Sequence, residues 1–136
     1  MDDGERLEAL EDALERLAFL AKSDAILVEG RKDEAALRAV GIDGRFVHVQ
    51  SSGGPVKAAE AVWRSGSGAV IMTDWDRRGG SLARMLRENL ESLGVGYDDS
   101  IRRDIASCIR PYSKDVESLD TVLSLLRARS AGGNDL

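Results

Sequence analysis

The stretch Ala69-Val70-Ile71-Met72-Thr73-Asp74-Trp75-Asp76-Arg77-Arg78-Gly79 decides the fold. Its opening is a short unbroken apolar run with two β-branched members. That is too brief for a helix and lacks the polar alternation of a half-exposed strand, so it reads as a strand buried on both faces. The strand ends at Thr73 and Asp74, and a helix follows over 81–93, closed by Gly94.

The same unit stands twice upstream. Ala25-Ile26-Leu27-Val28 is a buried strand ending at Glu29 and Gly30, followed by a helix from about Asp33 to Val40 that stops at Gly41. Phe46-Val47-His48-Val49 is the next strand, with the turn Ser51-Ser52-Gly53-Gly54-Pro55 and a helix from Val56 to about Arg64. Strands and helices that alternate over short connections imply βαβ crossovers. The expected class is α/β, a three-layer sandwich with a central, mostly parallel sheet of about four strands and helices on both faces. In such sheets functional groups gather at the carboxyl ends of the strands.

Around this centre, Leu7, Leu10, Leu14, Leu17 and Leu20 recur at helical spacing and predict an amphipathic helix over about 3–22. Downstream, Val95–Tyr97 reads as a short fourth strand, 98–108 as a helix and 119–129 as a last helix with Leu119, Val122, Leu123 and Leu126 inward. The expected organisation is therefore one domain over 23–130, a helix at 1–22 packed on it, and a frayed tail at 131–136.

Composition excludes several classes of function. With 24 acidic against 19 basic side chains the net charge is −5, so a protein that coats phosphates along its whole surface is excluded, although a local cation can still invert the field at one site. Cys108 is the only cysteine and lies in an apolar run, which rules out an internal disulfide and a thiolate metal centre. The opening Met1-Asp2-Asp3-Gly4-Glu5 is acidic where a signal peptide would be basic, and no apolar run approaches the ~20 residues of a membrane span. The expectation is a cytoplasmic protein without a membrane partner.

Glu29 closes the first strand, and Asp74 and Asp76 follow the third, so a parallel topology delivers all three carboxylates to one sheet edge. Asp74 and Asp76, one residue apart, can aim at a single hard cation. Oxygen-only ligands favour Mg2+, with Mn2+ as a substitute, and the lack of a neighbouring His or Cys disfavours zinc. Glu29 is a further metal ligand or a general acid/base. The competing reading is structural, because an Asp after a strand often caps the next helix.

Two motifs carry a family resemblance. Ile26-Leu27-Val28-Glu29-Gly30-Arg31-Lys32-Asp33 and Val70-Ile71-Met72-Thr73-Asp74-Trp75-Asp76-Arg77-Arg78-Gly79 resemble the strand-Glu-Gly and strand-D-x-D-glycine motifs of the Toprim domain, shared by topoisomerases, bacterial primases and several nucleases. Ser51-Ser52-Gly53-Gly54 sits where members often carry a small-residue loop. The resemblance spans about 24–94 and is greatest to the small stand-alone Toprim proteins of archaea and bacteria. It implies a Rossmann-like Toprim fold, Glu29 as the acid/base or metal-linked carboxylate, and Asp74 and Asp76 as magnesium ligands. Tyr97 and Tyr112 lack any motif of a nucleophilic tyrosine.

Other residues at the same edge extend the reading. Arg77 and Arg78 could steer phosphate oxygens, since guanidinium forks match phosphate geometry, or could be a solvated helix start. Arg31 and Lys32 are candidates for a nucleic-acid backbone, and the amides of Ser52 to Gly54, Gly53 among them, for a phosphate. Asp115 and Glu117 either approach the site or cap the last helix. Trp75 stacks on a base or packs on the sheet edge, Trp63 is expected in the core, and His48 reads as structural. The leading functional expectation is a Mg2+-dependent phosphodiester-cleaving or phosphotransfer module acting on RNA or DNA. The alternatives are a metal-dependent module that binds nucleic acid or nucleotides without chemistry, and an interaction protein that pairs with an accessory protein or a second copy through its N-terminal helix.

Overall fold

The computed structural model describes residues 1–134. Its strands are β1 (Ala25–Val28), β2 (Phe46–His48), β3 (Ala69–Ile71) and β4 (Tyr97–Asp98). The helices are α1 (Asp3–Leu20), α2 (Arg31–Ala39), the single turn α3 (Val49–Ser52), α4 (Pro55–Ser65), α5 (Arg77–Ser92), α6 (Ser100–Ile109) and α7 (Leu119–Asn134). The strands form one sheet in the order β2-β1-β3-β4, and every pairing is parallel.

Alternation along the two central strands sorts the core into two layers. Ile26, Val28, Val70 and Met72 face a cluster built from α1, α2, α6 and α7, where Leu10, Leu17, Leu37, Ile105 and Leu126 are fully buried. Ala25, Leu27, Ala69 and Ile71 face the opposite way, onto Ala58, Ala59 and Val62 of α4 and Ala83, Leu86 and Leu90 of α5. The molecule is thus a three-layer α/β sandwich. Both faces of β1 and β3 are covered, which is why their sequences carry no polar alternation.

Several local readings change, each for a physical reason. Helix α2 begins at Arg31, two residues before the expected Asp33, because Asp33 Oδ2 accepts a hydrogen bond from Gly30 N at 3.0 Å and closes the first turn. Helix α5 begins at Arg77, not Ser81, because Asp76 caps it. Val49 leaves β2 and starts α3, whose exit needs Gly53 and Gly54 at φ 102° and 106°, a region open to glycine. Trp63, expected in the core, is 54% exposed on the outer face of α4. Helix α7 continues past 129 to Asn134, and the final tail positions, Asp135 and Leu136, lie outside the described residues. No helix among the described residues is long and apolar enough to cross a membrane.

Helix α1 lies across α6 and α7, tied by ion pairs from Asp3 at its start to Arg129 (3.0 Å) and from Glu11 at its middle to Arg127 (3.1 Å). Asp2 caps α1 with a reciprocal bond to Glu5.

Candidate functional site

Two strand ends build the centre of the site. β1 delivers Glu29, only 7% exposed, and the chain leaving β3 delivers Asp74. Glu29 Oε2 accepts a hydrogen bond from Asp74 N at 2.9 Å, so the first carboxylate fixes the backbone that carries the second. Asp74 Oδ1 in turn accepts from Val116 N at 2.8 Å. The segment before α7 is held against this edge, with Trp75 N donating to Lys114 O (3.0 Å) and the Trp75 indole Nε1 to Ser113 O (2.7 Å). Trp75 therefore packs at the sheet edge, as the structural reading of it expected.

Burial raises the Asp74 pKa to about 7, against the lowering effect of the Val116 N–H, and the negative charges of Glu29 and Asp33 add to the rise. Asp33 is the member that sequence reasoning passed over. It is buried in the first turn of α2, and its pKa is raised by burial first and then by Glu29, Glu117 and Asp115. The available signal was its position three residues after Gly30, which marks a helix-start carboxylate that must face the strand end. Asp115 and Glu117 thus approach the site electrostatically. Asp115 also has the structural role, since its Oδ1 accepts from Ser118 N at 3.0 Å.

Asp76 is placed differently. It is exposed, and its Oδ1 accepts from Gly79 N at 2.7 Å as the N-cap of α5. Gly79 lets that helix start fold back onto the strand end: a Cβ there would stand 1.9 Å from Asp74 O, so no other side chain fits without moving backbone. Thr73 Oγ1 donates to Gly79 O at 2.8 Å and secures the same contact. The strongest like-charge pressure at this edge therefore joins Glu29, Asp74 and Asp33, while Asp76 stands on the helix start beside them.

Arg102 of α6 is a second residue that the sequence did not single out. It is 8% exposed, and donates from Nε to Thr73 O (2.9 Å) and from Nη2 to Asp74 O (2.6 Å). Its cation sits behind the acidic edge and offsets part of its charge. An arginine on an amphipathic helix reads in sequence as surface, which is why it escaped notice.

The cationic candidates lie around the rim. Arg31 and Lys32 are exposed on the first turn of α2. Arg78 Nη2 is 3.8 Å from Glu29 Oε1, and Arg77 is exposed next to it. Arg77 and Arg78 line a groove of about 790 Å³ together with Val49, Gln50, Gly54, Pro55, Ser81, Leu82 and Met85, so the structure brings the start of α5 to the start of α4. Ser52 and Gly53 lie in the turn before it, at the surface or half-buried. His48 is away from this edge chemistry: its Nε2 pairs with Glu34 Oε1 at 2.6 Å, and it is structural.

For a cation, the donor set is oxygen only. Among the described residues no three Asp, Glu, His or Cys side chains are grouped so as to hold an ion. A pair suffices for magnesium, which keeps several waters and takes only one or two protein carboxylates. Glu29 and Asp74 each commit one oxygen to a backbone N–H, the second Glu29 oxygen lies 3.8 Å from Arg78 Nη2, and the repulsion between the two carboxylates is the kind a cation relieves.

Comparison with known proteins places the chain among relatives of similar length. It is 36% identical over 126 residues to a UPF0292 protein of Methanosarcina acetivorans, covering 92% of this chain and 87% of that one, and 30% identical over 115 residues to a UPF0292 protein of Methanocaldococcus jannaschii, covering 85% and 90%. The chain belongs to the UPF0292 family. A UPF0292 protein of Pyrococcus horikoshii is 30% identical over 125 residues, covering 92% of this UPF0292 chain and 87% of that one. No family model matches it. Among solved structures, a protein from Aquifex aeolicus superposes with a TM-score of 0.64 over 79% of this chain and 95% of that one, at 20% identity, which speaks for the fold alone.

Proposed function

We propose that this UPF0292 chain is a Toprim-type, magnesium-dependent module that acts on nucleic-acid phosphodiesters in the cytoplasm. The observation that carries the reading is the Glu29–Asp74 pair: two carboxylates from different strands, joined through Asp74 N, where burial first and the neighbouring negative charge second lift Asp74 to about 7. Such a pair is unfavourable alone, and a cation between carboxylates and phosphate removes the cost. Asp74 would hold the ion, with Asp76 able to lend its second oxygen and Glu29 beside them. Bound there, a divalent cation supplies charge stabilisation to a phosphate and lowers the pKa of a coordinated water.

The protein's own groups do the rest. Arg77 and Arg78 present guanidinium forks to phosphate oxygens along the groove, which Gly54 also lines, whereas the Gly53 and Gly54 amides are spent on Gln50 O and Val49 O within the preceding turn. Arg102 keeps the Asp74 carbonyl fixed while the side chain engages ligand. Glu29 is the group that takes or gives a proton at the reacting oxygen.

One observation favours a binding role without chemistry. Glu29 Oε2 is engaged by Asp74 N and Oε1 faces Arg78, so the carboxylate is tied as a clamp before any substrate arrives. The two readings part on a single substitution. Glu29→Gln keeps an acceptor for Asp74 N and hence the fold, and under the catalytic reading it abolishes magnesium-dependent cleavage of RNA or DNA while retaining binding. Cleavage at the wild-type rate by this variant rules out the proton role. A magnesium titration followed by amide NMR tests the ion itself: saturable shifts at Glu29 and Asp74 that vanish in Asp74→Asn are expected, and a wild-type protein with no localised response sinks the metal reading.

A further inference from the structure

A second recess opens on the other side of the Asp74–Gly80 segment, against α6. It encloses about 480 Å³, and Arg102, Arg103 and Arg110 line it with Asp76 as the one carboxylate. In a chain of net charge −5, a wall with three arginines to one acid runs against the overall balance. The arginines are also available. Arg102 is more than nine-tenths buried and uses Nε and Nη2 on backbone carbonyls, and its Nη1 has no hydrogen-bond partner among the described residues, yet is not sealed from solvent. Among those residues the Arg110 side chain makes neither hydrogen bond nor ion pair, and Arg103 has one exposed pair, with Asp99 at 3.3 Å. Arg103, Ser107 and Arg110 follow one another at helical steps of four and three, so α6 and its C-cap Arg110 present them on one face.

We infer that the α6 recess, walled by Arg102, Arg103 and Arg110, is a binding subsite for a phosphate group, and that it holds a non-reacting phosphate of the nucleic-acid strand whose reacting phosphate lies at Asp74. The strand assignment rests on the function proposed above, and the anion site itself does not. Buried and exposed guanidinium groups in one recess offer forked donors to a tetrahedral anion, and Ser107 adds a hydroxyl. Arg77 and Arg78 lie on the opposite flank of the same segment, in the α4–α5 groove. A ligand with phosphates at intervals meets cationic walls on both sides of Asp74, whereas a single phosphate fills one.

The test uses the full chain. Inorganic phosphate is titrated in metal-free buffer and followed by amide, arginine side-chain and Trp75 indole NMR in the wild type, in Arg103→Gln/Arg110→Gln, and in Asp74→Asn. Both substituted arginines are on the surface of α6, where loss of one solvent-exposed ion pair has little effect on folding. Saturable shifts at Ser107 and Gly80 are expected in the wild type and in Asp74→Asn, and their loss in the double variant. Absence of these shifts in the wild type, or their survival in the double variant, overturns the subsite. A ten-nucleotide single strand then separates the sources of phosphate: the double variant is expected to bind it about tenfold more weakly, with a salt dependence shallower by about one to two in log–log slope. Unchanged strand affinity alongside lost phosphate binding overturns the strand assignment and leaves a site for free phosphate esters. Phosphate shifts in a wild type that binds no strand leave the anion site standing and reject the nucleic-acid reading.

Discussion

Asp74 joins the electrostatics of the edge to the stability of the whole. Its pKa is raised from 3.8 to about 7, so between those values the folded protein retains a proton that the unfolded chain has released. Stability must therefore fall as pH rises through that window and level off above about 7. Asp74→Asn keeps an oxygen for Val116 N and removes the charge that Glu29 and Asp33 oppose. In metal chelator, thermal melts should show the variant more stable than wild type at pH 8, by a few degrees, and little different at pH 4. Equal midpoints at pH 8 would mean that the carboxylates are not in conflict. Which acids converge was only partly legible in the sequence. Glu29 and Asp74 were found because strand ends announce themselves, whereas Asp33 was missed because its neighbours come from a helix turn and a distant loop.

At the level of the element, the start of α5 has two duties that one residue confuses. Asp76 caps the helix through Gly79 N and also stands beside the acidic pair. Asp76→Ala removes both functions and should lower the unfolding free energy by about 1 kcal/mol. Asp76→Ser retains an N-cap oxygen and should unfold, in urea, close to wild type. If the serine variant is as unstable as the alanine one, the cap is not what Asp76 contributes. Comparing their magnesium responses then separates capping from ligation. The sequence spacing allowed either role, because D-x-D followed by a glycine describes a cap and a ligand pair equally well. It could not show Gly79 beneath the Asp74 carbonyl, a contact between residues that the chain brings back onto itself only in three dimensions.

For the whole molecule, the sheet and its two covered faces were legible because buried parallel strands and glycine-stopped helices leave strong local signals. The role of α6 was not, since an arginine that turns inward to reach two carbonyls looks in sequence like its solvated neighbours. The layer of α1, α6 and α7 is a shared core in which Leu10, Leu14 and Leu17 meet Ile101, Ile105 and Leu126. Deleting residues 1–22 should therefore leave a chain without a cooperative thermal transition by near-ultraviolet circular dichroism. A sharp melt from that truncated chain would make α1 an appendage. The same packing sets an order of events during synthesis. Helix α1 leaves the ribosome before α6 and α7, the helices that cover it. At about 5–20 residues per second its leucine stripe waits several seconds without its partners, so the newborn chain presents a sticky surface that the finished protein does not have, and chaperones that hold apolar helices should find it there.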